Sequence, residues 1–385
     1  MNKKINRLLK GALAFTVAFS TLAVTTSTSR KVSAVEQEES YTQYVDPFVC
    51  TDVDYGQLFP GSVVPNGLVK LSPDTYPHNT LDHAGYDYSK LQIQGFSHTR
   101  IEGVGGQGAG GDVLVTPTYV EYSQRPQAQT RAMNYTKEDE SAKPGYYSVE
   151  LTPKTGKDND VKDSPEIGKI KAEMTTDQRT GFHRYTFPEA GSVNIITDLN
   201  YTYHGTDIRN AYVDVLEQSD TTTAIGGRFS GRNVSGNGKY TMYFYMETSK
   251  PANSVKTWND TTLSDKTSQK GNDIGTIMNF DVKENEEIQL KVSISPISVK
   301  QAKIDMHNEI SDWDFDAAAS RADKAWNDVL SKVRVESSKV SDPTGELKQL
   351  FYTHLYHMFM TPVNATSTSG TFRGTDGKIH EANDY

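Results

Sequence analysis

A single cysteine, Cys50, stands in a chain of 385 residues. No intramolecular disulfide can form, so the fold is held by burial and hydrogen bonding even if the chain works in an oxidising compartment. Tryptophan is scarce, at 3 residues, and positive charge is in the minority, with 40 Lys and Arg against 49 Asp and Glu. Past the N-terminal segment, no apolar run approaches the roughly 20 residues needed to span a bilayer. There is no G-x-S-x-G elbow and no H-E-x-x-H pair, which removes an α/β-hydrolase triad and a zincin site from consideration.

At the N-terminus, Lys3, Lys4, Arg7 and Lys10 precede "GALAFTVAFSTLAVTT", and Val32, Ser33 and Ala34 follow. A basic start, a short apolar stretch and small residues make residues 1–34 an expected signal peptide, with cleavage near Ala34. The apolar part is thinned by Ser and Thr and is too short for an anchor. Removing Lys3, Lys4, Arg7, Lys10, Arg30 and Lys31 takes the net charge of −9 to −15. That acidity argues against nucleic acid or an anionic membrane as partner, while the expected signal peptide with no later apolar span points to a secreted or cell-surface protein.

With 21 Tyr, 29 Gly and 15 Pro, the chain is rich in strand and turn formers. "GYYSVEL", "GFHRYTFP", "SVNIITDL", "YTMYFYMETS" and "EIQLKVSIS" are short strands separated by turns, and Leu290, Val292 and Ile294 alternate with polar residues. Asn237 and Gly238 suit a tight hairpin turn. Residues 154–169 and 259–273 are expected as exposed loops. Many strands without intervening helices predict a two-sheet β-sandwich over residues 41–298.

Near residue 300 the period changes. Phe315, Ala319, Ala322, Trp326, Val329, Leu330 and Val333 share one face of a helix, and Leu347, Leu350, Phe351, Leu355 and Met358 share a face of a second that follows Asp342-Pro343. Residues 299–335 are expected as linking helices and 336–385 as the truncated start of a helical domain. Two such helices cannot bury their apolar stripes alone, so they must pack on the β domain or on something further.

Several motifs remain. "GVGGQG" (103–108) matches the dinucleotide fingerprint formally, but a strand-like "DVLVTP" follows where a helix is required. His354 and His357 lie three apart on a helix and could bind a metal, but no Glu sits in an H-E-x-x-H arrangement and the flanks are core-like. "FRGTDG" presents Arg373 and Asp376 in a glycine-flanked loop, where a carboxylate can accept two hydroxyl hydrogen bonds from a polyol. Glycines and prolines crowd "GQLFPGSVVPNGLVKLSPDT" (56–75), the composition of backbone that approaches a ligand closely.

Taken in order, "YVDPFVCT", "FPGSVVPNGLVKLSPDT", "GYDYSKLQIQGFSHTRIEG", "GGDVLVTP", "TGFHRYTFP", "EIQLKVSISPISVKQAKIDMHNEISDWDFDAAASRADKAWNDVLSKVRVE", "FYTHLYHMFMTP" and "FRGTDGKIH" resemble the N-terminal portion of the bacterial α-mannosidases of glycoside hydrolase family 92. The resemblance runs from about residue 44 to the last residue. It implies a mostly β fold: a β-sandwich, linking helices, and the beginning of an (α/α)6 barrel. It also implies an exo-acting, calcium-dependent, inverting α-mannosidase that acts on N-glycans or mannan.

By the same resemblance, Phe59 and Gly61 of "FPG", His98 of "GFSH" and Asp376 of "FRGTDG" are expected to bind substrate. Arg100 and Glu102 stand where relatives often carry His and Ser, and Asn66 where Phe is common, so linkage preference is not carried over. An inverting glycosidase needs an acid and a base about 6.5–9.5 Å apart. The family's acid, base and calcium ligands lie downstream of "GKIH", so no catalytic residue and no metal ligand is assigned within these residues. The expected reading is an N-terminal piece that recognises mannose-containing glycans and needs a downstream chain carrying the barrel for hydrolysis. Two alternatives stay open: a stand-alone carbohydrate-binding sandwich, and a glycan–asparagine amidase with a carboxylate pair inside the sandwich.

Overall fold

The computed structural model describes residues 39–52, 58–78, 82–101, 109–203, 209–232 and 238–382. The expected signal peptide, the 103–108 glycine loop, Glu102 and Asn237 lie outside the described residues. From Ser40 onward the chain forms one compact unit.

Two large antiparallel sheets dominate it. The eight-stranded sheet runs in the order Ser72–Thr75, Gln92–Ser97, Leu114–Thr118, Gly191–Asp198, Ile274–Val282, Ser254–Asn259 and Thr262–Ser264, with Met133–Asn134 pairing to Gln92–Ser97. The nine-stranded sheet runs Ser268–Gly271, Ala211–Gln218, Thr223–Arg232, Lys239–Thr248, Glu286–Ser295, Thr180–Phe187, Ile170–Thr176, Tyr146–Leu151 and Glu140–Lys143. One apolar cluster joins them, with Val193, Ile195, Met278 and Phe280 from the first and Val213, Ile225, Phe244 and Leu290 from the second. Each such fully buried side chain contributes about 1.5–3 kcal/mol relative to exposure. The sandwich expected from the strand pattern therefore forms.

The outer face of the nine-stranded sheet is also covered. In Glu286–Ser295, Ile288, Leu290, Val292 and Ile294 point to the main core, yet Lys291 is buried on the opposite face, where Nζ donates to Ile310 O (3.1 Å) and pairs with Glu247 (2.8 Å). Beyond a four-residue turn, α1 (Ala128–Arg131), the helices are α2 (Val299–Glu309), α3 (Phe315–Leu330) and α4 (Glu346–Met358). Ser298 caps α2 by accepting from Gln301 N (3.1 Å), and Asp314 caps α3 by accepting from Ala317 N (2.9 Å). Ala302 and Met306 of α2 pack on Ala224 and Tyr245, and Phe315 and Ala318 of α3 on Phe182.

Three expectations are corrected. Residues 154–169 are not all loop: Lys154–Lys157 and Asp160–Asp163 pair as a charged, largely exposed hairpin, whose polarity hid its strand character. Within 259–273, Thr262–Ser264 and Ser268–Gly271 are short strands at sheet edges, where backbone pairing needs no apolar alternation. On α4 the buried residues are Tyr352, Thr353 and Tyr356, while Leu347, Leu350, Phe351 and Met358 are exposed. The buried side of this helix is lined by tyrosines that meet Tyr41, Tyr44 and Trp326 and whose hydroxyls need partners; Tyr352 Oη donates to Val333 O (2.9 Å).

Candidate functional site

Three of the four expected substrate residues converge on one arginine. Gly61 runs so close to the next strand that an added Cβ would sit 2.2 Å from Ser72 Cβ and 2.3 Å from Leu71 O. Only glycine permits that approach. It lets Phe59 tuck beneath the chain, 1% exposed, with the Arg100 guanidinium 5.0 Å above its ring. His98 is two residues from Arg100 and fully buried, with Nδ1 2.7 Å from Val113 O and Nε2 2.9 Å from His183 Nε2. These are supporting positions beneath a surface.

Arg100 itself is saturated by backbone. Nε donates to Lys70 O (3.1 Å), Nη1 to Ala84 O (2.9 Å), and Nη2 to Ser72 O and Ser97 O (3.0 Å each) and Ser97 Oγ (2.9 Å). Asp74 Oδ2 lies 3.8 Å from Nη2, and neither side chain is exposed. Burial pushes Asp74 up to about 6, with Arg100 and the Ser97 hydrogen bonds opposing it. One cation thus ties Lys70 and Ser72 of the Gly- and Pro-rich stretch to Ala84 and Ser97.

Beside Arg100 stands a second buried pair. Asp112, 1% exposed, accepts from Arg209 Nη1 (2.5 Å) through Oδ1, and from Thr99 Oγ1 (2.6 Å) and Tyr240 Oη (2.7 Å) through Oδ2. Gly110 and Gly111 before it have φ of +114° and +88°, which turns the carboxylate inward. Lys70, Thr99, Arg100, Asp112 and Tyr240 line a cavity of about 320 Å³, completed by Leu68, Met242 and Val363. An apolar wall with a few fixed polar groups suits a small polar ligand with C–H faces, such as a sugar.

Asp376 stands apart. It is exposed, in the turn between the Thr371–Arg373 and Ile379–Glu381 strands, accepting from Lys378 N and held 3.0 Å from His380 Nε2. The His380 contact, then the Lys378 N–H, holds its carboxyl below the usual range. Arg373 fastens this hairpin to Pro296 O (2.6 Å) and Ile297 O (3.1 Å), just before α2. Among the described residues the hydrogen bonds of Asp376 stay within its own hairpin, to Lys378 and His380.

Sequence reading missed Asp74, Thr99, Arg209 and Tyr240 as members of this group. They come from separate segments, and only the "GGD" of Gly110–Asp112 carried a local sign of close backbone approach. Of the sequence pair, His357 is lowered to about 4 by burial and by His354, and its partner is exposed. Calcium takes six to eight oxygen ligands. Among the described residues no group of three His, Cys, Asp or Glu could hold a metal, and Asp112 spends both oxygens on Arg209, Thr99 and Tyr240. The described residues therefore do not fit the ion, and no step is derived through it.

Comparison with known proteins agrees with this architecture. The profile described as glycosyl hydrolase family 92 N-terminal domain matches residues 44–295, and that of the family 92 catalytic domain matches 301–385. A solved family 92 glycosyl hydrolase superposes with a TM-score of 0.85 at 43% identity, over 90% of this chain and 44% of its own. A family 92 α-mannosidase from Bacteroides thetaiotaomicron gives 0.76 at 28% identity, over 90% and 44%. A protein of Arthroderma benhamiae described as an uncharacterized secreted glycosidase is 23% identical over 86% of this chain and 43% of its own length. The chain thus spans less than half the length of these relatives. By the profile covering residues 44–295, this chain belongs to glycosyl hydrolase family 92.

Proposed function

We propose that this chain supplies the mannose-recognising part of a secreted, inverting, calcium-dependent α-mannosidase acting on mannose-containing N-glycans or mannan. The observation that carries the proposal is the cavity walled by Arg100, Asp112 and Tyr240, built on the motifs shared with the family. The Bacteroides thetaiotaomicron relative is described in complex with mannoimidazole, which supports a mannose-shaped ligand for the fold. Phe59, Gly61 and His98 act by holding the cavity wall in place, and Asp376 meets substrate from its exposed hairpin.

Hydrolysis draws its acid, base and calcium ligands from catalytic-domain residues outside these 385. Asp112 is a poor base because Arg209, Thr99 and Tyr240 already occupy both of its oxygens, and Asp74 is sealed from water. The apolar stripe left exposed on α4 supports further helical packing over a stand-alone binding module. The test is mannose release from a high-mannose N-glycan by the purified chain, with calcium and with EDTA, alone and with a polypeptide carrying the rest of the catalytic domain. Calcium-dependent release only in the combined sample is expected; release by the chain alone would overturn the assignment.

A further inference from the structure

A second cavity lies elsewhere on the sandwich and shares no lining residue with the first. It has a volume of about 310 Å³ and opens where the Ser72–Thr75 and Gly191–Asp198 strands end. Tyr76, His78 and Tyr201 form an aromatic side, and Gln94, Arg131 and Asp198 a polar one. The aromatic side is braced: His78 lies 5.4 Å from the Tyr203 ring, and the Tyr201 and Tyr203 rings meet edge to face at 6.1 Å.

The polar side is charged yet balanced. Arg131 Nη1 pairs with Asp198 Oδ2 at 2.6 Å, and both are about 3% exposed or less. Asp198 Oδ1 accepts from the backbone N–H of Asn200 (2.9 Å) and Tyr201 (3.1 Å), which fixes the carboxylate plane. Burial opposes its ionisation, but Arg131 and Arg125 hold its carboxyl below the usual range. Arg125 at the rim is itself matched by Asp273 at 2.6 Å. A free anion would have to compete with Asp198, and a cation with Arg131.

What these groups keep is hydrogen-bonding capacity. A guanidinium carries more N–H groups than one carboxylate oxygen engages, and Arg131 Nε, buried, has no partner among the described residues. An ionised carboxylate accepts along several directions at once. Fixed donors and acceptors with no net charge, facing a rigid aromatic corner, match a ring that presents hydroxyls on its edge and C–H groups on its face. We propose that this cavity is a separate carbohydrate subsite that takes one neutral pyranose unit. It requires nothing of the first cavity or of hydrolysis.

The test is titration of the purified chain with methyl α-D-mannopyranoside, followed by saturation-transfer NMR. Two variants address the site: Tyr76→Ala, and Gln129→Trp, which crowds the rim from an exposed position. Both are expected to weaken binding about tenfold, the loss of roughly one good contact, with unfolding midpoints unchanged. Val363→Trp, which narrows the first cavity, serves as the background for these titrations, so that binding there does not mask this site. In that background, binding undiminished by Gln129→Trp, no binding at all, or displacement of the pyranoside by inorganic phosphate would each overturn the proposal. Because the readout is binding, a failed hydrolysis assay leaves this result standing.

Discussion

Trp326 Nε1 donates to Val63 O across 2.6 Å, joining α3 to the Gly- and Pro-rich stretch over 263 positions of sequence. The indole is fully buried and lies 4.3 Å from the Tyr356 ring of α4. This one side chain fixes the segment that carries Phe59 and Gly61. Trp326→Ala is expected to cost about 3–5 kcal/mol. Trp326→Phe keeps most of the packing but leaves Val63 O buried without its donor, which costs about 1–3 kcal/mol. Urea denaturation of the two variants checks both values, and a Trp326→Phe variant as stable as the wild type would show that the hydrogen bond contributes nothing.

The Asp112–Arg209 pair permits a sharper test, because neither side chain is more than 1% exposed. Asp112→Asn preserves shape but removes the negative charge facing a buried guanidinium, for an expected loss of about 3–5 kcal/mol. Arg209→Met in the Asp112→Asn background is expected to recover part of that loss, since a buried pair is often replaceable by apolar groups. Denaturation midpoints of the two single variants and the double variant give the coupling. Simple additivity would mean that the pair does not act as a unit.

His98 and His183 set a pH dependence whose sign can be worked out. Burial lowers His98 to about 3, with Val113 O pulling the other way, and burial together with His98 pushes His183 well below the usual range. Both are neutral when folded and gain protons on unfolding below about pH 6.5. The unfolded state then binds more protons, so their contribution falls as pH drops through that point, by up to about 1.4 kcal/mol per pH unit for each. Burial raises Asp74 to about 6 and Glu309 to about 7, so these carboxyls act in the opposite direction. A comparison with His183→Gln isolates the imidazole. The stability advantage of the wild type over this variant should shrink from pH 7 to pH 5, and a pH-independent difference would refute the reading.

The sandwich was legible because apolar and polar side chains alternate along its strands, as Leu290, Val292 and Ile294 do with their neighbours. The Arg100 cluster was much less so. Asp74, Thr99, Arg209 and Tyr240 are ordinary residues in ordinary strands and loops, and only tertiary folding gives them a common neighbour. Helix α3 was read with the right period but a slightly rotated face: Ala318 is buried where Ala319 was expected, and Val333 is exposed. Periodicity fixes spacing to within a residue, and the packing partner fixes the rotation.

Helix α4 was read with its buried face reversed, and that error leads to a prediction. Leu347, Leu350, Phe351 and Met358 lie at helical spacing and are 62%, 44%, 38% and 71% exposed. The tyrosine face of the helix packs on Tyr41, Tyr44 and Trp326, which leaves this stripe in water. An apolar stripe of this kind in water favours self-association. Leu347→Glu with Met358→Glu is expected to leave the thermal midpoint of the chain within the range of ordinary surface changes, about ±0.5 kcal/mol. The same pair should lower its tendency to self-associate in sedimentation velocity and abolish binding to a polypeptide carrying the rest of the family 92 catalytic domain. If instead the double variant unfolds the chain, the stripe is internal to this unit; if the catalytic-domain polypeptide still binds, the helix contributes nothing to that interface.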